Sequence, residues 1–296
     1  MKILVTGATG FIGNHVIEQL LELKEHEIIA STLEQENNKK SPWYSDVTFI
    51  PCDLYEKKEN YFTYFHNPDL LIHLAWEGLP NFKELYHFER NLFNDYHFLK
   101  NMISHGLKRL SVTGTCFEYG KKKGCLSEDM ETNPIIAYPL AKDTLRKFIQ
   151  ELEKIYNFKF HWIRLFYMYG KGQSPKSIIP QLDKALDNSE ESFNMSGGEQ
   201  LRDYLPVEKV AEYIIKISLQ DKITGIINCC SGKPLSIKKL VEQHIQRRKK
   251  FIKLNLGYYP YPDYVSMEFW GDTTKLESVL SMFNNKKNSV KGLFIG

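Results

Sequence analysis

The chain has 296 residues, a formal net charge of +3, 42% hydrophobic residues and 25% charged ones. That balance describes a folded globular protein and excludes a disordered, collagen-like or strongly basic nucleic-acid-binding one. Two basic runs, Lys121-Lys122-Lys123 and Arg247-Arg248-Lys249-Lys250, suit solvated loops or helix ends, so no nucleic-acid partner is expected.

The sequence enters its first apolar run directly after Met1-Lys2, without a charged and hydrophobic leader. Every apolar stretch is interrupted well short of the roughly 20 residues that cross a membrane. Five cysteines, an odd number with no Cys-x-x-Cys pair, suit reduced thiols. These features predict a cytoplasmic protein without a membrane partner. The nine histidines show no ligand spacing, so no metal is expected.

Taken in chain order, an apolar run at 3–5 predicts a first strand and leads into Thr6-Gly7-Ala8-Thr9-Gly10-Phe11-Ile12-Gly13. A helix is predicted over 11–23, with Ile12, Val16, Leu20 and Leu23 on one stripe. In this strand-turn-helix setting Gly7 supplies a tight turn, Gly10 lets backbone approach a pyrophosphate, and Gly13 permits close packing. The free amides of the helix start would hold the anion. Further strands are predicted at 27–30, 47–50, 70–74, 109–112 and 158–164, and a helix over 90–105. At the end of the second strand Ser31 and Thr32 replace the acid that usually accepts from a ribose hydroxyl. A hydroxyl pair tolerates a 2′-phosphate, so NADP(H) is favoured, with NAD(H) an alternative because no arginine follows and Glu34 is close.

Tyr138 and Lys142 stand four apart at the start of a helix predicted over 141–152. An ammonium beside a phenol favours phenolate and would move its pKa down from about 10. Beyond Tyr169 the chain turns to Gly-, Ser-, Asn- and Pro-rich loops around shorter helices. A helix is predicted over 203–219 and a strand over 225–229. Alternating strands and helices predict an α/β fold with a Rossmann-type, doubly wound parallel sheet. The expected division is 1–169 for dinucleotide binding and 170–296 for a smaller substrate-binding α/β region, with segments near 203–230 returning to the first.

The string TGATGFIG, the Tyr138-Lys142 pair and several landmarks between them resemble the extended short-chain dehydrogenase/reductase family, also described as NAD-dependent epimerases and dehydratases, over most of the chain. The resemblance implies that Asp53 and Leu54 meet the adenine ring. It places Leu74, Ala75, Asn91 and Thr113 around the cofactor. Thr115, counted back from Tyr119-Gly120, falls at the position of the family's catalytic hydroxyl, with Thr113 the fallback. Trp76, in the loop after the fourth strand, would lie over the cofactor and sugar.

Relatives that remove water from nucleotide sugars resemble one another in an Asp-Glu pair after that threonine. Here Cys116 and Phe117 stand there instead, which disfavours dehydration because neither side chain can move the required protons. Arg202, in Arg202-Asp203-Tyr204, is similar to the arginine that holds a nucleotide diphosphate. Tyr167 occupies a substrate position where asparagine is common, and a second basic contact is replaced by the tyrosine-rich stretch 258–264. The function implied is reduction of a nucleotide-linked 4-keto-6-deoxyhexose at C4. A 4-epimerase retaining NAD is the alternative, and a non-catalytic dinucleotide sensor a third. A homodimer is expected by analogy with the family.

Overall fold

A computed structural model describes residues 1–33 and 39–291, with side chains to Asn284; Glu34, invoked above beside Thr32, lies outside the described residues. In chain order the first half is β1 (Lys2–Thr6), α1 (Phe11–Leu23), β2 (Glu27–Ser31), β3 (Thr48–Phe49), α2 (Tyr61–Tyr64), β4 (Leu70–His73), α3 (Leu92–Ser104), β5 (Arg109–Thr115), β6 (Gly124–Leu126) and α4 (Ala137–Glu153). The second half is β7 (Lys159–Leu165), β8 (Tyr167–Tyr169), α5 (Ile178–Asp187), β9 (Ser192–Asn194), β10 (Leu201–Pro206), α6 (Val207–Ser218), β11 (Gly225–Cys229), β12 (Pro234–Ser236), α7 (Ile237–Arg248), β13 (Lys253–Asn255), β14 (Phe269–Gly271) and α8 (Thr274–Lys291).

Seven strands form one parallel sheet in the order β11-β7-β5-β4-β1-β2-β3. The order reverses between β1 and β4, and a doubly wound sheet binds ligands outside the carboxyl ends of its strands at such a switch point. Both faces are buried, which is why the strands read as continuous apolar runs rather than alternating ones. One face packs Val16, Ile17 and Leu20 of α1 against Val210, Ile214 and Ile217 of α6 over Ile3 and Val5. The other packs Phe98, Leu99 and Met102 of α3 against Leu145 and Ile149 of α4 over Leu4, Leu71 and Leu110. Among the described residues no helix is long and apolar enough to cross a membrane.

The expected helix over 203–219 is corrected by the structure. Leu201–Pro206 is a strand paired to β8 and β12, and the helix starts only at Val207. Pro206 lacks an N–H and has a fixed φ, so it closes the strand and opens the helix. The Asp203 carboxylate accepts from the Ser231, Gly232 and Gly271 amides, which ties β10 to the returning chain.

Candidate active site

Two adjoining cavities lie along the carboxyl ends of the sheet, of about 440 and 550 Å3, and they share Gly7, Gly10, Leu74 and Trp76. They therefore form one cleft. Thr9, Ser31, Thr32, Asp53, Leu54 and Ala75 line its first half, beside β1 and β2. Phe11, Ile12, Gly13, Thr115, Cys116, Phe117, Tyr138 and Tyr167 line the second. Lys142, Asn91, Thr113 and Arg202 are in neither lining.

The turn after β1 has the shape that a pyrophosphate requires. Gly7 has φ +71°, and a Cβ there would come within 2.8 Å of the Ala75 amide. A Cβ on Gly13 would run into the Gly7 and Ala8 carbonyl oxygens, so α1 packs against the turn only because position 13 is bare. Gly10 caps α1 without a side-chain bond, and no acid sits in its first turn, leaving the helix start free for an anion. Asp53 turns one oxygen to the Tyr55 amide at 2.8 Å. The Thr9 and Thr32 hydroxyls lie 3.4 Å apart. The first half holds one cation among the described residues, Arg90, and it is engaged at 2.6 Å by Glu77. A dinucleotide fits this half, and among the described residues that line it no unengaged cation answers a 2′-phosphate.

β5 ends in Thr115 and α4 begins one residue before Tyr138, so sheet and helix bring the hydroxyl and phenol to one point. Both line the same half of the cleft, and the Thr115 hydroxyl works against burial by lowering the phenol's pKa. The Tyr138 amide donates to the Phe82 carbonyl at 3.0 Å, which ties the helix start to the loop after β4. The Phe82, Trp76 and His87 rings surround Tyr138 with centroids 5.6, 6.0 and 5.3 Å away. Burial, with Glu118 and Cys116 adding to it, holds the phenol above its ordinary pKa.

The expected downward shift from Lys142 is thus corrected: burial raises the phenol, and Lys142 is not among the groups that act on it. Lys142 is itself fully buried, and burial pulls its pKa down to about 8. Its ammonium sits 4.0 Å over the Trp76 ring, a cation–π contact that replaces the expected phenol partner. Trp76 in turn donates from Nε1 to His87 Nδ1 at 3.0 Å, and His87 Nε2 faces the Asn81 carbonyl at 3.0 Å. An imidazole accepting at Nδ1 carries its proton on Nε2, the tautomer this pair requires. Burial lowers the His87 pKa, in keeping with the neutral ring.

The remaining expected contacts are placed differently. Asn91 donates to the Glu77 carbonyl at 2.9 Å, so it holds the loop after β4 instead of facing the cleft. Thr113 donates to the His73 carbonyl at 3.4 Å, which leaves Thr115 as the hydroxyl in the cleft. Arg202 is buried, donates to the Leu201 and Met267 carbonyls at 2.7 and 3.1 Å, and packs on the rings of Phe269 and Tyr167. It stands behind the Tyr167 wall, not in the cleft. Gln173, Ser174 and Ser177, at the start of α5, supply polar lining that the sequence had not suggested. Glu118 and His87 were also missed, because their roles depend on partners 44 and 11 residues away.

Residues 3–230 match the model of the NAD dependent epimerase/dehydratase family. The chain belongs to that family. It is an enzyme of the extended short-chain dehydrogenase/reductase type. It is 32% identical over 273 residues, 92% of this chain and 99% of the relative, to a dTDP-6-deoxy-L-talose 4-dehydrogenase (NAD(+)) of Aggregatibacter actinomycetemcomitans. It is 25% identical to a GDP-6-deoxy-D-talose 4-dehydrogenase of the same organism, over 95% of this chain and 91% of that one. The fold matches a UDP-glucuronic acid 4-epimerase from Bacillus cereus, in complex with UDP-glucuronic acid and NAD, with a TM-score of 0.81 at 22% identity, covering 95% and 93% of the two chains. The name of the first of these relatives and this complex carry NAD, so the expected preference for NADP(H) finds no support.

Proposed function

We propose that this enzyme interconverts the 4-hydroxyl and 4-keto forms of a nucleotide-linked 6-deoxyhexose with NAD(H), and that reduction of the 4-keto form is its working direction. The observation that carries this is the lining of the second half of the cleft. It contains no acidic or basic side chain among the described residues, only apolar and aromatic groups with Thr115, Tyr138, Gln173, Ser174 and Ser177 as its hydroxyls and amide apart from Tyr167. A wall without charge suits a sugar whose C6 is a methyl group and disfavours a carboxylate there. The dTDP- and GDP-linked 6-deoxyhexose relatives support the same substrate class.

Gly7, Gly10, Gly13 and the first turn of α1 would hold the dinucleotide, with Thr32 and Asp53 on its adenosine side. When bound there, a nicotinamide supplies or accepts the hydride. Tyr138, kept protonated by burial, is in the form that gives a proton to a carbonyl oxygen. Thr115 orients that oxygen by hydrogen bonding. Lys142, its pKa pulled to about 8 by burial, is charged below that pH, and its ammonium, held on the Trp76 ring that packs against Tyr138, would favour the resulting phenolate through space. Cys116 and Phe117 offer no acid or base beside Thr115, so water is not removed from the sugar. Tyr167, with Arg202 behind it, would border the diphosphate. The exposed Phe93 and Leu140, on the neighbouring helices α3 and α4, support pairing into a homodimer.

The test is to supply a dTDP-linked 4-keto-6-deoxyhexose with NADH or NADPH and follow coenzyme oxidation. Stoichiometric oxidation of NADH in preference to NADPH is expected. The 4-epimerase reading is favoured instead if the protein purifies with bound NAD and interconverts C4 epimers without net coenzyme oxidation.

A further inference from the structure

We propose that Glu118 is a positioning residue for the reaction: its buried carboxylate fixes the end of β5 so that the Thr115 hydroxyl presents its proton to the reacting oxygen. The proposal rests on the assignment of Thr115 as the orienting hydroxyl.

Glu118 is fully buried, and four donor contacts converge on its two oxygens. The Thr115 amide reaches Oε1 at 2.8 Å, the Trp162 indole N–H lies 3.0 Å from both oxygens, and Arg164 Nε reaches Oε2 at 2.8 Å. Arg164 is fully buried too, with its guanidinium 4.4 Å from the Tyr119 ring. A charge pair taken wholly out of water gains little stability over apolar residues of similar volume, because the loss of hydration offsets the attraction. Stability alone therefore gives a weak account of why this pair is built here. Its placement gives a stronger one.

Thr115 and Glu118 form a capping box at the turn that leaves β5. Glu118 holds the Thr115 amide, and the Thr115 oxygen accepts from the Phe117 amide at 3.3 Å. An oxygen so occupied by an N–H keeps its own proton for donation into the cleft that Thr115 and Tyr138 both line. The carboxylate thus sets both the backbone and the direction of the hydroxyl proton. The space is tightly filled: a Cβ at Gly114 would meet both the Trp162 indole nitrogen and Glu118 Oε1. Displacing this end of β5 by an ångström would separate Thr115 from the phenol without touching the dinucleotide half of the cleft.

Four variants test this, with rates expressed per folded enzyme and melting temperatures recorded. Glu118→Asp keeps the charge opposite Arg164 but withdraws it by one methylene. It should lower kcat about tenfold while the KM for the sugar stays within about threefold. Glu118→Gln/Arg164→Met removes both charges and keeps an oxygen for the Thr115 amide, so kcat should stay within about threefold of wild type. Glu118→Leu/Arg164→Met removes that acceptor as well and should lose about a hundredfold in kcat at a similar melting temperature.

Equal kcat in the two double variants would overturn the proposal. If neither folds, full kcat in Glu118→Asp would do so, provided Thr115→Val is inactive. A Thr115→Val enzyme with wild-type kcat would instead remove the assignment of Thr115 on which the proposal rests.

Discussion

Lys142 is the residue at which catalysis and stability pull hardest against each other, so Lys142→Met should make the protein inactive and more stable. Burial takes its pKa from the ordinary lysine value of 10.5 to about 8, and at about 1.4 kcal/mol per unit the folded state bears a penalty of about 3 kcal/mol for keeping the ammonium charged. The Trp76 ring under the ammonium returns roughly 0.5–2 kcal/mol of that. Methionine has a similar length and no charge and can lie on the same ring, so a gain of about 1–3 kcal/mol is expected near pH 7.

The sign follows from the direction of the shift. A base whose folded pKa is depressed is penalised wherever it must be charged, below about 8, and the penalty fades as pH rises from there to the unfolded value near 10.4. Urea unfolding of wild type and variant near pH 7 and near pH 10 measures it. The variant's advantage should shrink toward zero at the higher pH. A variant less stable near pH 7, or an advantage independent of pH, would refute the reasoning.

Tyr138→Phe should lower kcat by about 10³-fold with coenzyme affinity unchanged within twofold or so, as checked by NADH fluorescence titration. Gly13→Ala sets a methyl group against the Gly7 and Ala8 carbonyls; the expected outcome is at least a tenfold weaker NADH affinity together with a lower melting temperature. Asp143 is buried, which alone would raise its pKa, yet bonds from Lys147, Arg146 and Thr132 hold the carboxyl below its usual range. Its contribution is present above the unfolded pKa near 3.9 and is lost as pH falls through the lower folded value. Asp143→Asn should therefore cost about 1–3 kcal/mol near neutral pH, and the gap to wild type should close in acid-unfolding experiments.

The sheet and the dinucleotide half of the cleft were legible because their signals are local. β1, the glycine turn and α1 occupy one continuous segment, and each glycine answers a close approach of backbone within that segment or from the chain leaving β4. Thr115 and Tyr138 were legible through motif spacing, since the ends of β5 and α4 converge in this fold. What the sequence concealed depends on burial and on distant partners. The Tyr138-Lys142 spacing suggested a depressed phenol, but it carries no measure of desolvation, nor of the indole that takes the ammonium. Arg202 matches a diphosphate motif, yet the Met267 carbonyl and two aromatic rings hold it behind the wall. Residues 203–206 of the strand Leu201–Pro206 fall inside the helix expected over 203–219 because the apolar period that begins at Val207 extends backwards past a proline.

The most direct test of the central claim is to follow the hydride itself, using NADH carrying deuterium at the transferred position, a dTDP-linked 4-keto-6-deoxyhexose and the wild-type enzyme, with the product examined by NMR. Deuterium at C4 of the sugar, one per NADH oxidised, is the predicted result, and it should vanish in Tyr138→Phe. Label absent from C4, or sugar converted with no NADH consumed, would contradict it.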